Sequence, residues 1–282
     1  MKTGFIGLGN LGKALAERLM DEGYDLTVWN RTIKKADGLG ADISVSPKEV
    51  AEKSDTIVLN LFDTDAVLDV FGMDGGLLDA DLKGKTIIDT STNHYKEVLE
   101  VYEIAEAEGF SYLEAPVLGS VVPAKKGMLV VVVSGDEPAF NEHKAFFDTI
   151  GRDVFYLREP GAASRMKVIN NMLLGVFMTS IAEAVAFGEK AGLDKSDVID
   201  VLSTGGGKSL VFDAKKQKLA DEDFSAHFSA SAIYKDLGYL QRLAEDVKMP
   251  LYTAGAAKEL YAETFRRGLS EEDFSVVYKM FK

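Results

Sequence analysis

The chain has 282 residues, 46% of them hydrophobic and 27% charged, and its formal net charge is −13. This length and composition are typical of a packed globular protein with one large domain or two ordinary ones. The acidic charge, with no basic block, excludes nucleic acid and anionic membranes as favoured partners. Without cysteine there is neither disulfide nor thiolate chemistry, and no signal peptide is recognisable, so we expect a cytoplasmic protein.

From Thr3 to about Arg158, short apolar runs alternate with helical patterns. Strands are predicted in TGFIGL, DLTVWN, TIVLNL, KTIIDT, MLVVVVSG and DVFYL. Helices are predicted in LGKALAERLMDEG, PKEVAEKS, TDAVLDVFG, YKEVLEVYEIAEAEG and DEPAFNEHKAFFDTIG. Asp136 is the expected N-cap of the last helix, with Pro138 in its first turn. The alternation predicts an α/β domain whose mostly parallel, doubly wound sheet carries helices on both faces.

The pattern changes after Pro160-Gly161, where β-branched runs end and helical periodicity takes over. Further helices are predicted in AEAVAFGEKAGL, KSDVIDVLST, SAIYKDLGYLQRLAEDV and LYTAGAAKELYAETFRRG. We therefore expect an α/β domain at residues 1–160 and an all-helical domain at residues 161–282. The apolar helix beginning near Ser164 is interrupted by Thr179, Ser180 and Glu183, which argues against a membrane span.

The segment GFIGLGNLGKALAERL has a G-x-G-x-x-G pattern between the first strand and the first helix. Glycine at the first position permits a tight turn, at the second a close approach to a pyrophosphate, and at the third close helix–strand packing. The pattern predicts a dinucleotide site in which helix N–H groups bind the phosphates, although an ordinary turn is the alternative. The site residues are Gly7, Leu8, Gly9, Asn10, Leu11 and Gly12.

Cofactor preference is indicated where the second strand ends in VWNRT. Enzymes that prefer NAD usually carry an acidic residue there to bind the ribose 2′-OH, but this chain has Asn30, Arg31 and Thr32. A guanidinium binds a 2′-phosphate through two hydrogen bonds. We therefore predict that NADP(H) is preferred over NAD(H), the alternative being that Arg31 is a solvated loop residue.

The helix SRMKVINNMLLGVFM places Lys167 and Asn171 on one face, one turn apart, at the start of an apolar stretch. An ammonium here can protonate the alkoxide that forms when a carbonyl accepts hydride, especially if burial eases release of its proton. We expect Gly175, one turn further, to leave room above the pair. The alternative is a helix-end lysine that extends to water.

Four ordered motifs, GFIGLGNLG, EAPVLGSVVPAKKG, GAASRMKVINN and IYKDLGYL, resemble those of the β-hydroxyacid dehydrogenases along the whole chain. That family includes 3-hydroxyisobutyrate dehydrogenases and glyoxylate/succinic semialdehyde reductases. The resemblance implies a Rossmann domain, a long helix leading into a helical domain, and an active site between the two domains. It implies that Lys167 is the catalytic lysine and Asn171 the substrate-orienting amide.

The resemblance also implies further contacts, although the substrate loop departs from the family pattern at two positions, Leu118 and Ser120. Where the family reads D-A-P-V-S-G-G, this chain has Leu118, Gly119 and Ser120 in place of S-G-G, so the serine that contacts the substrate carboxylate is missing. Backbone N–H groups around Gly119 and Ser120 can still bind an anion, and Leu118 can equally be a packing residue. Resemblance places Lys235 of the K-D-L motif toward the cofactor or the substrate. It places Leu61 and Phe62 beside the nicotinamide, where both could equally be core residues, and Thr92 near its ribose or carboxamide.

The predicted function is an NADPH-dependent oxidoreductase that transfers hydride between nicotinamide and a short aldehyde or oxo acid, of glyoxylate, succinic semialdehyde or 3-hydroxyisobutyrate type. One alternative is a reductase of an imine or neutral carbonyl, and another is a catalytically silent dinucleotide-binding module. The resemblance implies a homodimer or homotetramer acting on a small molecule. The histidines His94, His143 and His227 lack metal-ligand spacing, so no metal site is expected, and His94 is expected at a surface helix start. The segment TGGGKS fits a helix–helix turn better than a phosphate-binding loop.

Overall fold

The computed structural model describes residues 2–282, which divide into two compact units, one extending to Lys167 and the other running from Val168 to Lys282. The first unit contains a nine-stranded sheet. Its strands are β1 (Thr3–Ile6), β2 (Leu26–Trp29), β3 (Asp42–Ile43), β4 (Thr56–Leu59), β5 (Thr86–Asp89), β6 (Ser111–Glu114), β7 (Val117–Leu118), β8 (Leu129–Gly135) and β9 (Gly151–Tyr156).

The sheet has the order β3-β2-β1-β4-β5-β6-β8-β7, with β9 paired to β8. Strands β1 to β6 pair in parallel, as connections through helices require, while β8 is antiparallel to both β6 and β7. The parallel part has the strand order of a Rossmann domain. Ile6 pairs with Leu59, and Leu59 with Asp89, so the segments that follow β1, β4 and β5 leave the sheet at the same edge.

The helices of the first unit pack two hydrophobic clusters against the two faces of the sheet. The helices of this unit are α1 (Asn10–Asp21), α2 (Pro47–Lys53), α3 (Thr64–Gly72), α4 (Val98–Glu108), α5 (Val121–Lys125), α6 (Glu137–Glu142) and α7 (Lys144–Ile150).

Several elements differ from those predicted. The strands β3 and β7 and the helix α5 were not predicted, because two or five residues give too little periodicity to read. Strand β6 was not predicted either, because only Tyr112 and Leu113 of its four residues are apolar. The single helix predicted from Asp136 is divided at His143 into α6 and α7. Asp136 occupies the N-cap position, but its carboxylate makes no capping bond and accepts instead from the hydroxyl of Ser111 at 2.6 Å.

The second unit is helical, and the first of its helices begins in the unit before it. The helices are α8 (Ala162–Lys190), α9 (Lys195–Thr204), α10 (Leu210–Asp221), α11 (Ala230–Asp246) and α12 (Tyr252–Arg266). Helix α10 was not predicted because its lysines obscure the apolar positions, yet Phe212 and Leu219 are buried and Ser209 caps its first turn. The predicted Rossmann domain followed by a helical domain is confirmed, and TGGGKS links α9 to α10 as a helix–helix turn.

Helix α8 is the long helix that the family resemblance implies, and it continues for 29 residues through Thr179, Ser180 and Glu183. Among residues 2–282 it is the one helix whose length and composition, with a mean hydropathy of 1.5, would also suit a membrane span. The core helix of a water-soluble protein passes the same test, and 44% of the apolar window is buried within the structure.

Candidate functional site

Two of the three glycines in the glycine-rich loop have no room for a side chain, and the third borders open space. A Cβ at Gly7, whose φ is 101°, would lie 2.2 Å from the carbonyl oxygen of Asn60, and one at Gly12 would lie 2.0 Å from that of Gly7. A Cβ at Gly9 would meet no atom within 4 Å. Glycine is therefore required at position 7 by the turn and at position 12 by helix–strand packing, whereas Gly9 borders open space.

Asn30 acts on this loop through its side chain. Its Oδ1 accepts from the backbone N–H of Leu8 at 2.8 Å, and its Nδ2 donates to the carbonyl of Thr32 at 2.9 Å. Arg31 and Thr32 are exposed, and Lys34 and Lys35 follow them on a short exposed 3₁₀ helix. The end of β2 thus combines an amide that shapes the phosphate loop with three cationic side chains.

The segments after β4 and β5 lie at the same edge of the sheet as the glycine-rich loop. The backbone N–H of Leu61 donates to Ser91 Oγ at 2.8 Å, which ties the two segments together. Leu61 and Thr92 are half-buried. Phe62 is 53% exposed, which excludes the alternative that it is a core residue.

The segment after β6 carries two positions that depart from the family pattern, Leu118 and Ser120, with the matching Gly119 between them. Leu118 is half-buried and pairs with Val130 in the ladder between β7 and β8. Gly119 has a φ of 134° and no room for a side chain, because a Cβ there would lie 2.6 Å from Leu129 Cδ2. Ser120 occupies the N-cap position of α5.

Lys167 is buried, with only 8% of its surface exposed. Its Nζ donates to the backbone carbonyl of Val117 at 2.8 Å. This burial excludes the alternative of a helix-end lysine extended into water. The ammonium is instead held against the residue that precedes Leu118.

Asn171, one turn along α8, is 1% exposed, and its Nδ2 donates to Asp236 Oδ2 at 2.6 Å. Asp236 Oδ1 lies 3.2 Å from Lys235 Nζ, whose side chain is 15% exposed. Asp236 is the aspartate of the K-D-L motif, to which the sequence analysis assigned no role. Its contact with Asn171 joins positions 65 residues apart that no local pattern connects.

Two expectations were wrong. Gly175 leaves no open space, because a Cβ there would lie 3.2 Å from Leu237 Cδ1, so this glycine allows α11 to pack against α8. His94 is not on the surface but 4% exposed, with its Nδ1 3.4 Å from the backbone nitrogens of Lys96 and Glu97. In the part of the chain that the structure describes, no group of three or more His, Asp or Glu side chains is arranged to hold a metal ion.

Comparison with known proteins assigns both halves of the chain. Residues 2–157 match the NAD binding domain of 6-phosphogluconate dehydrogenase, and residues 161–281 match the NAD-binding domain of NADP-dependent 3-hydroxyisobutyrate dehydrogenase. Glyoxylate/succinic semialdehyde reductase 1 of Arabidopsis thaliana is 33% identical over 100% of this chain and 99% of its own length. The chain belongs to the β-hydroxyacid dehydrogenase family. It is an NAD(P)-dependent oxidoreductase acting on CH–OH groups.

Two similar solved structures extend the likeness to the fold. The 3-hydroxyisobutyrate dehydrogenase of Salmonella typhimurium is 27% identical, with a TM-score of 0.92 over 99% of both chains. The structure of Psf3 in complex with NADP+ and 2-OPP is 26% identical, with a TM-score of 0.91 over 99% of this chain and 100% of that one.

The dehydrogenase's first unit fits a dinucleotide. Helix α1 begins at Asn10, and its N-cap residue, Gly9, offers no side chain to cap the N–H groups of the first turn. An anion there gains both from these donors and from the helix dipole. The open space at Gly9 lies at this helix end, so the residues present suit a bound pyrophosphate.

Proposed function

We propose that this dehydrogenase is an NADPH-dependent reductase of a short aldehyde or oxo acid, with Lys167 as its general acid and base. The observation that carries the proposal is the position of the Lys167 ammonium, which is buried and donates to the Val117 carbonyl beside Leu118, Gly119 and Ser120. Asn171 follows one turn along the same helix. An ammonium and an amide spaced in this way both reach one oxygen-rich substrate.

The nicotinamide, when bound, supplies or accepts the hydride. The oxygen of the reduced carbonyl then needs a proton, which Lys167 Nζ donates, and in the reverse direction the neutral amine removes the hydroxyl proton. The Asn171 amide, held by Asp236, orients the substrate oxygen, and the neighbouring Lys235 supplies positive charge near it.

A preference for NADPH is supported by the residues after β2. Arg31 and Thr32 are exposed beside Asn30, and no carboxylate stands at the end of this strand to repel a 2′-phosphate. The similar protein Psf3 binds NADP+. Leu61, Phe62 and Thr92, at the same edge of the sheet, are the proposed contacts of the nicotinamide and its ribose.

Leu118 favours a second candidate within the same chemistry, the reduction of a neutral carbonyl or an imine. With leucine instead of the family serine, the loop lacks a hydroxyl that would bind a substrate carboxylate. Ser120 and backbone N–H groups are then the groups of this loop that could bind an anion. The presence of Lys167 favours a carbonyl substrate over an imine, because the alkoxide formed by hydride transfer needs a proton. The similarity to a glyoxylate/succinic semialdehyde reductase supports an acidic aldehyde as the substrate.

The protein is further proposed to be a cytoplasmic homodimer or homotetramer. Helix α8 carries a stripe of Met166, Ile169, Leu173 and Phe177, which are 39%, 41%, 47% and 40% exposed. Apolar residues at this spacing form a continuous face suited to a second copy of the chain. Light scattering after size-exclusion chromatography should give twice or four times the mass of the chain, and a monomer would contradict the proposal.

The function is tested by NADPH oxidation with glyoxylate, succinic semialdehyde, methylmalonate semialdehyde and matched neutral aldehydes. Turnover of one acidic aldehyde, lost in Lys167→Met, is the expected result. Turnover of neutral aldehydes alone would favour the second candidate. Binding of NADPH without turnover of any compound would mean that the chain is a silent dinucleotide-binding module.

A further inference from the structure

Glu114, the last residue of β6, is fully buried in the first unit, with 0% of its surface exposed. Its carboxylate accepts from five donors. On Oε1 these are Tyr102 Oη at 3.0 Å, Ser134 Oγ at 3.0 Å and the backbone N–H of Gly161 at 2.5 Å. On Oε2 they are the backbone N–H of Ser164 at 3.1 Å and Ser164 Oγ at 2.5 Å. A set made of N–H and O–H donors suits a group that only accepts, which is the ionised carboxylate.

Three of these five donors belong to the start of helix α8, at Gly161 and Ser164. The first N–H groups of a helix have no partner within the helix, and a carboxylate beside them is also stabilised by the helix dipole. Ser134 takes part as well, because its Oγ accepts from the backbone N–H of Ala163 at 3.2 Å. The end of β6 therefore holds the beginning of α8 in place.

A second attachment lies three residues further along both segments. Lys167 follows Ser164 by three residues on α8, and Val117 follows Glu114 by three residues on the chain leaving β6. The Lys167 ammonium donates to the Val117 carbonyl at 2.8 Å, so both attachments join residues 50 apart in the sequence. The Glu114 carboxylate and the Val117 carbonyl thus contact α8 at two points, one helical turn apart.

We propose that Glu114 is a positioning residue that acts through Lys167, holding the first turn of α8 in register with the loop of Leu118, Gly119 and Ser120. This inference rests on the proposed role of Lys167 in proton transfer. Displacement of a reacting group by about 1 Å can cost roughly a hundredfold in rate. Glu114→Gln places an amide nitrogen, itself a donor, among five donors, so one attachment to the helix is lost while the side chain keeps its size.

The test is a double-mutant cycle with Glu114→Gln, Lys167→Met and the double variant. The measurements are single-turnover NADPH oxidation with succinic semialdehyde and with glyoxylate, NADPH affinity, and thermal unfolding. Glu114→Gln should slow transfer roughly tenfold to a hundredfold with NADPH affinity unchanged. In the Lys167→Met background it should cause no further loss. Glu114→Asp, which keeps the charge but is one methylene shorter, should recover part of the rate.

Tyr102→Phe is the matched control, because it removes a donor to the same carboxylate from α4 and not from α8. It should lower the melting temperature and leave the transfer rate unchanged. Hydrogen exchange in residues 161–167 should accelerate in Glu114→Gln and not in Tyr102→Phe. If Glu114→Gln does not fold, Ser164→Ala removes one donor on the helix side and should show a smaller loss with the same dependence on Lys167.

A wild-type rate in a folded Glu114→Gln, unchanged exchange in residues 161–167, or losses that multiply in the double variant would overturn the inference. Failure of the proposed function gives a different result. In that case the wild type reduces neither aldehyde, or Lys167→Met keeps its transfer rate.

Discussion

The Nδ2 of Asn171 donates to Oδ2 of Asp236 at 2.6 Å, and both side chains are almost completely buried. Asp236 Oδ1 lies 3.2 Å from Lys235 Nζ, so one carboxylate holds both an amide and an ammonium in the second unit. The Asn171 amide and the Lys235 ammonium, both proposed to contact the substrate, are thereby held by Asp236, which does not itself react.

Replacing Asp236 with alanine should therefore affect substrate binding more than proton transfer. The buried Asn171 N–H loses its acceptor, which costs roughly 1–3 kcal/mol of unfolding free energy. We expect KM for the aldehyde to rise more than kcat falls, as measured by steady-state kinetics beside urea unfolding. Asn170→Ala is the control. It removes a different hydrogen bond to the same amide, from Asn170 Nδ2 to Asn171 Oδ1 at 3.1 Å, and leaves the contact with Asp236 in place. Equal changes in KM for the two variants would contradict the assignment.

Arg31→Ala should lower the affinity for NADPH and leave that for NADH nearly unchanged. The exposed guanidinium has no 2′-phosphate to bind in NADH, whereas a charge-assisted contact to a phosphate is worth ~1.5–3 kcal/mol, roughly tenfold to over a hundredfold. Fluorescence titration of both cofactors measures the effect. Equal affinities of the wild type for NADPH and NADH would show that the residues after β2 do not select the phosphate.

Leu118→Ser should lower KM for acidic aldehydes and change KM for neutral ones little, since it restores a hydroxyl to the loop that would bind a carboxylate. The measurement compares substrates of equal chain length with and without the acid group. If the ratio of their KM values stays constant, position 118 does not contact the carboxylate.

Lys167→Met should fold and bind NADPH normally but lose most of its transfer rate. General acid catalysis contributes 10²–10⁴-fold, so a loss of roughly that size is expected in single-turnover experiments. Thermal unfolding should show no loss of stability, because burying an ammonium is costly. Lys167→Arg should not restore the rate, since a guanidinium keeps its proton at neutral pH. Near-normal transfer in Lys167→Met would mean that the proton comes from another group.

A buried ion pair, unrelated to catalysis, should govern the acid stability of the second unit. Desolvation raises the pKa of Asp273, but Lys215, whose Nζ lies 2.8 Å from Oδ2, and Ser275 outweigh it and leave the pKa below 3.8. A carboxyl group with a lowered pKa stabilises the fold above its unfolded pKa, and this contribution disappears as pH falls through the folded value. The wild type should therefore lose this contribution only below about pH 4.

Lys215→Met should cost roughly 3–5 kcal/mol at pH 7, because the Asp273 carboxylate remains buried without its cation. Without the ammonium, the pKa of Asp273 should rise. The difference in unfolding free energy between the wild type and Lys215→Met should therefore shrink as the pH is lowered. Urea unfolding between pH 4 and pH 7 measures this, with Lys216→Met, one residue away and exposed, as the control. A deficit independent of pH would show that the ion pair does not account for the loss.

The sequence alone determined the features that depend on neighbours along the chain. The turn at Gly7, the alternation of strands and helices, and the placement of Lys167 and Asn171 one helical turn apart follow from local geometry and side-chain chemistry. Four motifs in order identified the family, and the change of pattern after Pro160-Gly161 indicated the order of the two domains. Strand β7 and helix α5, with two and five residues, lacked the length for a readable period.

Only the tertiary structure decided which atoms hold these residues. Glu114 meets Ser164 and Val117 meets Lys167 across 50 residues, and Asp236 meets Asn171 across 65. Such contacts depend on how the sheet and helices pack, which no local propensity encodes. For the same reason Gly175 could not be read as a packing position until Leu237 was seen against it, nor could the burial of His94 be inferred from its neighbours in the chain.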